Sequence, residues 1–199
     1  MAVKTKEKLI EAALSLFSEK GYSGTNLQEI ADSCNIVKSA VYRHFTSKEE
    51  LWNTMIDEMS KYYYEGFGSK RSIKKIPSSK NEFIEMTMNM VNFTINDERI
   101  IKIRKILSIE QYRDERVKKI ASEHFLTGLQ DMFEIIFKDM IENGAIKDYN
   151  PKILALSYVS PIASLIHLSD REPDKKEESI QEIRAFSEHF MDVYSVLNN

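Results

Sequence analysis

The sequence predicts an all-α fold, and two observations carry that prediction. The chain has 6 Gly and 4 Pro in 199 residues, too few breakers for a β-sandwich, which needs a turn every ten residues or so. Its apolar residues recur at i, i+3, i+4 and i+7 along most of the length, the spacing of one helix face, and no alternating strand run of any weight interrupts them. Hydrophobic residues make up 42% and charged residues 30% of the chain, enough apolar material for a core and too much for a disordered chain.

The elements follow in order. Ile10, Ala13, Leu14 and Phe17 form the first stripe, which stops at Gly21, a residue type favoured just past a helix end. Thr25 with Gln28 three residues later fits a capping box for a second helix, whose expected buried face is Leu27, Ile30, Ala31 and Cys34. Asn35 follows, one of the few non-glycine residues that tolerates positive φ, as a tight turn between helices requires. A short third helix is expected over 37–45. Ser47 with Glu50 opens a fourth, carrying Leu51, Trp52, Met55, Ile56, Met59, Tyr62 and Tyr63. Residues 66–81 hold five basic residues and no acid and read as a solvated linker.

Beyond the linker the helical period continues. Phe83, Met86, Met90 and Phe93 make one stripe, and Ile100, Ile103, Ile106 and Leu107 another. A long helix is expected from about Asp114 to Asn143, stopped by Gly144. Asn150 and Pro151 read as N-cap and first helical residue of the next. That helix carries no charge from Ile153 through Ser169. At 17 uncharged residues interrupted by Ser157, Ser160, Pro161, Ser164 and His167 it falls short of the roughly 20 residues of a membrane span, so no membrane partner is expected. It reads as buried on two sides, with Pro161 as a kink. Ile180, Ile183, Phe186, Phe190, Tyr194 and Leu197 mark the last helix.

Chemistry narrows the function classes. The one cysteine, Cys34, excludes an intrachain disulfide and fits a reducing cytosol. Lys4, Lys6 and Lys8 are interleaved with Glu7 and Glu11 and no apolar run follows, so no signal peptide is read at the start. His44, His124, His167 and His189 are scattered, without metal-site spacing. No Gly-rich phosphate loop, G-x-S-x-G or compact acid pair occurs, so neither an enzyme nor a bound cofactor is expected.

Residues 25–45 are helix, tight turn, helix, the shape whose second helix enters the DNA major groove. On a wheel of the third helix, Val41 and Phe45 mark the buried side, and Ser39, Ala40 and Arg43 face away. No Asp or Glu occurs from Lys38 through Lys48. Arg43 suits bidentate readout of a guanine, Ser39 and Ala40 permit close approach, and Lys38, Tyr42, His44 and Lys48 suit phosphates. Thr25 and Gln28 stand at the start of the second helix, where backbone N–H groups attract a phosphate oxygen. The alternative reading is a three-helix head that docks a partner protein; steep salt dependence of duplex affinity discriminates the two.

The stretch from Leu9 to Trp52 resembles the N-terminal domain of the TetR family of transcription regulators. The matching residues are A-x-x-L-F at 13–17, G-Y at 21–22, Thr25, I-A at 30–31, V-Y-x-H-F at 41–45 and S-K-E-E-L at 47–51. The resemblance implies a three-helix DNA-binding domain on a larger helical ligand-binding domain, acting as a homodimer. It carries DNA contacts onto Thr25, Lys38, Ser39, Tyr42, His44 and Lys48. Asn35 stands where the family usually has glycine, Val37 where it has a capping Ser or Thr, and Ala40 where Thr is common; Val37 is kept among the expected DNA-binding residues with the rest of 37–44 that faces away from the core. The resulting domain expectation is 1–46 for DNA binding, 47–66 as a connecting helix and 80–199 for ligand binding and dimerisation.

The resemblance also places a dimer interface on the last two helices, with Tyr158, Ile162, Leu165, Ile183, Phe186, Phe190 and Tyr194 as its expected residues. Two recognition helices about 34 Å apart would then read a palindromic operator. The Met- and Phe-rich helices between suggest an apolar effector pocket, with Met86, Met90, Ile103, Leu107, Tyr112, Phe125 and Phe133 as candidates beside the many residues that must be ordinary core. The formal charge of −3 does not oppose a DNA-binding head, because residues 1–50 carry seven bases and seven acids. What distinguishes the head is that its acids stand outside the 38–48 stretch.

Overall fold

The computed structural model describes residues 2–67 and 76–196. Its helices are α1 (Ala2–Gly24), α2 (Leu27–Ser33), α3 (Lys38–Val41), α4 (Lys48–Phe67) and α5 (Lys80–Asn96). They continue as α6 (Glu98–Glu110), α7 (Glu115–Ser122), α8 (Gly128–Glu142), α9 (Pro151–Arg171) and α10 (Lys176–Tyr194). The fold is all-α; the one bridge among the described residues pairs Ile146 with Ser195. The middle of the basic linker, 68–75, and Leu197 lie outside the described residues.

Two compact units form. The first comprises Met1–Glu65 and Glu98–Ala121, the second Gly66–Asp97 and Ser122–Asn199. This division departs from the sequence boundary, which gave all of 80–199 to one domain. The reason is packing: α6 lies along α1 and buries Ile100, Ile103, Ile106 and Leu107 in the first unit. Periodicity marks which face of α6 is buried, but not which helix covers it.

In the first unit, α1 and α4 build the core with Leu9, Ile10, Ala13, Leu14, Phe17, Leu51, Trp52, Met55 and Ile56. Gly21 interrupts α1 at φ 71°, ψ 174°, a backbone region open to glycine alone. The second unit packs α5, α8, α9 and α10 around Phe83, Phe133, Phe137, Tyr158 and Phe190. Its core face on α5 is Phe83, Ile84, Thr87, Met88, Val91, Thr94 and Ile95. The expected stripe was displaced, because Met86, Met90 and Phe93 are only half-buried.

The long helix expected from Asp114 to Asn143 exists as α7, a π-helical turn at Glu123–Thr127, and α8. The Gly128 amide donates to the Glu123 carbonyl. A Cβ on Gly128 would stand 2.6 Å from that oxygen, so glycine permits the wide turn. Gly144 stops the run at φ 70°. Asn150 caps α9 by accepting from the Lys152 and Ile153 amides at 3.0 and 3.2 Å. By length and composition α9 passes for a membrane span, but Leu154, Ala155, Tyr158, Val159, Ile162 and Ile166 are spent in the core of the second unit.

A candidate nucleic-acid interface

The local chemistry of 21–48 sets the interface. The cap of α2 is Asn26, one residue past the expected Thr25. Its side-chain oxygen accepts from the Gln28 and Glu29 amides at 2.9 and 3.1 Å, and the Glu29 carboxylate accepts from the Asn26 amide at 2.9 Å. The sequence T-N-L-Q-E contains both capping patterns in adjacent registers, and Asn26 with Glu29 is the pair that forms. Lys20 ties down the same carboxylate at 2.6 Å; that hydrogen bond, with the Asn26 amide, holds Glu29 below the usual carboxylate range.

Thr25 therefore has a different role from the one expected. It is buried, and its hydroxyl donates to the Gly21 carbonyl at 3.0 Å, inside the head. Gln28 is exposed but its amide donates to Asp32 at 2.7 Å. Thr25 closes back onto α1 and offers a phosphate no free hydroxyl, and Gln28 pairs within α2.

The turn forms as its residues require. Asn35 takes φ 55°, and the Asn35 and Ile36 amides close back onto Asp32 and Ala31 at 2.9 and 3.0 Å. Helix α3 is shorter than expected, Lys38–Val41, with Val37 as an N-cap that makes no side-chain cap bond. Turns continue through Phe45, whose amide reaches Val41 at 3.0 Å. Val41 and Phe45 are buried; Val37, Lys38, Ser39, Tyr42 and Arg43 are exposed; Ala40 and His44 are half-buried. The outward face is the one expected, and it is acid-free.

Lys48 is half-buried, with its ammonium 4.2 Å from the centre of the Tyr22 ring. Burial pushes its pKa down, while Glu110 and Glu29 act the other way. Sequence reasoning missed Glu110. This buried carboxylate of α6 accepts the Tyr22 amide at 2.8 Å, beside the break at Gly21. No sequence signal points to it, since its partner lies 88 residues earlier. The α6–α7 corner makes further ties: Asp114 accepts from the Trp52 indole at 3.2 Å and Arg116 pairs with Asp57. Cys34, expected to be buried, is half-buried, and burial raises its thiol pKa.

The Bacterial regulatory proteins, tetR family, model matches residues 9–55, the span that forms α1, the turn and the exposed α3. Over those residues the chain is similar to the N-terminal domain of TetR-family regulators. A regulator named the biofilm operon icaADBC HTH-type negative transcriptional regulator IcaR, from Staphylococcus epidermidis, is 43% identical over 58 residues. Those residues are 29% of this chain and 31% of the relative, so the chain spans about a third of the length of that relative. A TetR-family regulator from Mesorhizobium loti shares the fold at TM-score 0.71 and 21% identity, over 98% of this chain and 99% of that one. AibR, solved with isovaleryl coenzyme A and operator DNA, aligns at TM-score 0.65 and 18% identity over 92% and 97% of the two chains.

The effector candidates are divided between the two units. Of the effector list, Ile103 and Leu107 are core of the first unit, and Tyr112 is almost fully exposed. Met86, Met90, Phe125 and Phe133 belong to the second. There Phe125 stands edge-on to His167 at 4.7 Å between centroids, and burial takes the neighbouring His124 down to about 4, so that imidazole is neutral.

The dimer list divides between buried and half-buried residues. Tyr158, Ile162, Ile183 and Phe190 are buried within this chain, and Leu165, Phe186 and Tyr194 pack against the same core. Tyr158 is bonded to both Thr87 and Ser187 at 2.9 Å. Ser187 donates to the Ile183 carbonyl at 2.7 Å, so it accepts from Tyr158, and the one phenolic proton leaves Thr87 as donor to Tyr158. Burial pushes the Tyr158 phenol up to about 12 against the pull of these hydrogen bonds. The apolar side chains that α9 and α10 turn outward are Ile153 (59% exposed), Leu156 (47%) and Val193 (42%).

Proposed function

We propose that the protein is a homodimeric transcriptional repressor that binds a palindromic operator through α3 and is released by a small apolar or amphipathic effector. The observation that carries this reading is the acid-free outward face of α3, held by the Asn35 turn on a buried Val41–Phe45 side. In this reading Arg43 takes a guanine edge, Ser39 and Ala40 allow close approach, and Lys38, Tyr42, His44 and Lys48 take phosphates. The operator and coenzyme A thioester bound by AibR support a DNA partner and a small-molecule effector. The negative regulators among its relatives support repression. Met86, Met90, Phe125 and Phe133 are the proposed effector-contacting residues.

The test is a gel shift with the DNA upstream of the protein's own gene, titrated with salt and then screened for molecules that abolish the shift. Binding that falls steeply with salt supports the reading; absence of duplex binding at low salt sinks it. Arg43→Ala should cost about 1–3 kcal/mol and relax specificity at one position, whereas Lys48→Ala should weaken all sequences alike and flatten the salt slope. Wild-type affinity and slope in both variants would refute the contact assignment.

We place the dimer contact on the outward face of α9, where Ile153, Leu156, Ser160 and Ser164 follow i, i+3, i+7, i+11 spacing. Leu156→Arg should yield folded monomers in sedimentation equilibrium, with helicity intact by circular dichroism. A variant that still sediments as a dimer moves the interface elsewhere.

A further inference from the structure

We propose that Val37, with Ala40 behind it, reads the C5-methyl groups of thymine and so sets part of the operator sequence; this rests on the DNA-binding reading above. Three observations bear on Val37. Among the described residues of 1–50 it is the most exposed large hydrophobic, at 68%. Its side chain makes no cap bond and so contributes nothing polar to the start of α3. Its neighbour Ile36 is half-buried and Val41 fully buried, so the head's own packing is met without it.

Position turns that exposure into a reading surface. Val37 is extended at φ −77°, ψ 147°, and its carbonyl accepts the Ala40 amide at 2.8 Å. That bond closes the first turn and sets residue 37 beside residue 40 on one face. The first residues of a recognition helix are those that meet base edges in the major groove. There, thymine alone presents a methyl, an apolar projection that matches apolar side chains and offers a hydroxyl nothing. An isopropyl group cannot hydrogen-bond a phosphate, and the thymine methyl is the apolar partner that the base edges of the major groove offer it. Removing one such methyl should change affinity about fourfold.

The experiment selects operator sites from random duplexes with the full chain, then replaces each thymine of the selected site singly by deoxyuridine, which keeps the base pair and deletes the methyl. One or two positions per half-site should weaken wild-type binding about fourfold. Val37→Ala should lose that penalty at one of them, and Val37→Ile should keep it. Selection of a site whose uridine replacements are all silent overturns the proposal alone, as does a penalty that survives unchanged in Val37→Ala. Failure to select any site removes the DNA-binding reading, and this inference with it.

Discussion

Tyr158→Ala should destabilise the second unit and not merely separate subunits. Tyr158 is fully buried, lies within 5.1 Å of the ring centroids of Phe83 and Phe133, and is 4.7 Å from that of Phe190. Large-to-small truncation of a buried aromatic ring costs about 3–5 kcal/mol. Here it also strips Thr87 and Ser187 of the oxygen between them, which adds the penalty of buried hydroxyls left to find new partners. For a chain of this length the thermal midpoint should fall on the order of 10 °C. Tyr158→Phe keeps the ring and loses only the hydroxyl, so its fall should be a fraction of that. A Tyr158→Ala protein with an unchanged midpoint that sediments as a monomer would restore Tyr158 to an interface.

Gly21→Ala should carry the second large effect, in the first unit. The backbone at φ 71°, ψ 174° costs a non-glycine residue on the order of 1–3 kcal/mol. The new Cβ would also stand 2.6 Å from the Glu110 carboxylate and 3.2 Å from Ile109. Either that carboxylate leaves the Tyr22 amide, stranding a buried group for about 1–3 kcal/mol more, or the α1 break shifts. Thermal melts monitored beside Glu110→Gln, which keeps an acceptor in place, separate the two contributions. Wild-type stability in Gly21→Ala would show that the break is not constrained as described.

The short-range features of the head were legible because each has a local cause. Gly21 and Asn35 stand at their positive-φ positions, and Val41 and Phe45 form the inward side of α3. The cap forms one residue later than expected because Thr25-x-x-Gln28 and Asn26-x-x-Glu29 are both plausible boxes, and the Thr25 hydroxyl turns back onto the Gly21 carbonyl four residues earlier instead of capping α2. What escaped was partnership over long separations. The stripe of Ile103 and Leu107 fits an effector pocket as well as it fits a groove on α1. Helix α9 is apolar on more than one side, so its pattern does not tell which side turns inward. The larger residues Tyr158 and Ile162 turned into the core, leaving Leu156, Ser157 and Ser164 outside.

The junction of α1, α4 and the start of α7 also has an optical consequence. Trp52 is the chain's one tryptophan. It packs edge-on to Phe17 and Tyr22, each at 5.1 Å, and bonds Asp114 through its indole. Emission excited at the red edge of the indole band therefore arises from the first unit alone, against a background of tyrosines that do not absorb there. A carboxylate at the indole N–H and two rings at its edges make the emission wavelength a gauge of how closely α7 grips the head, readable without any label.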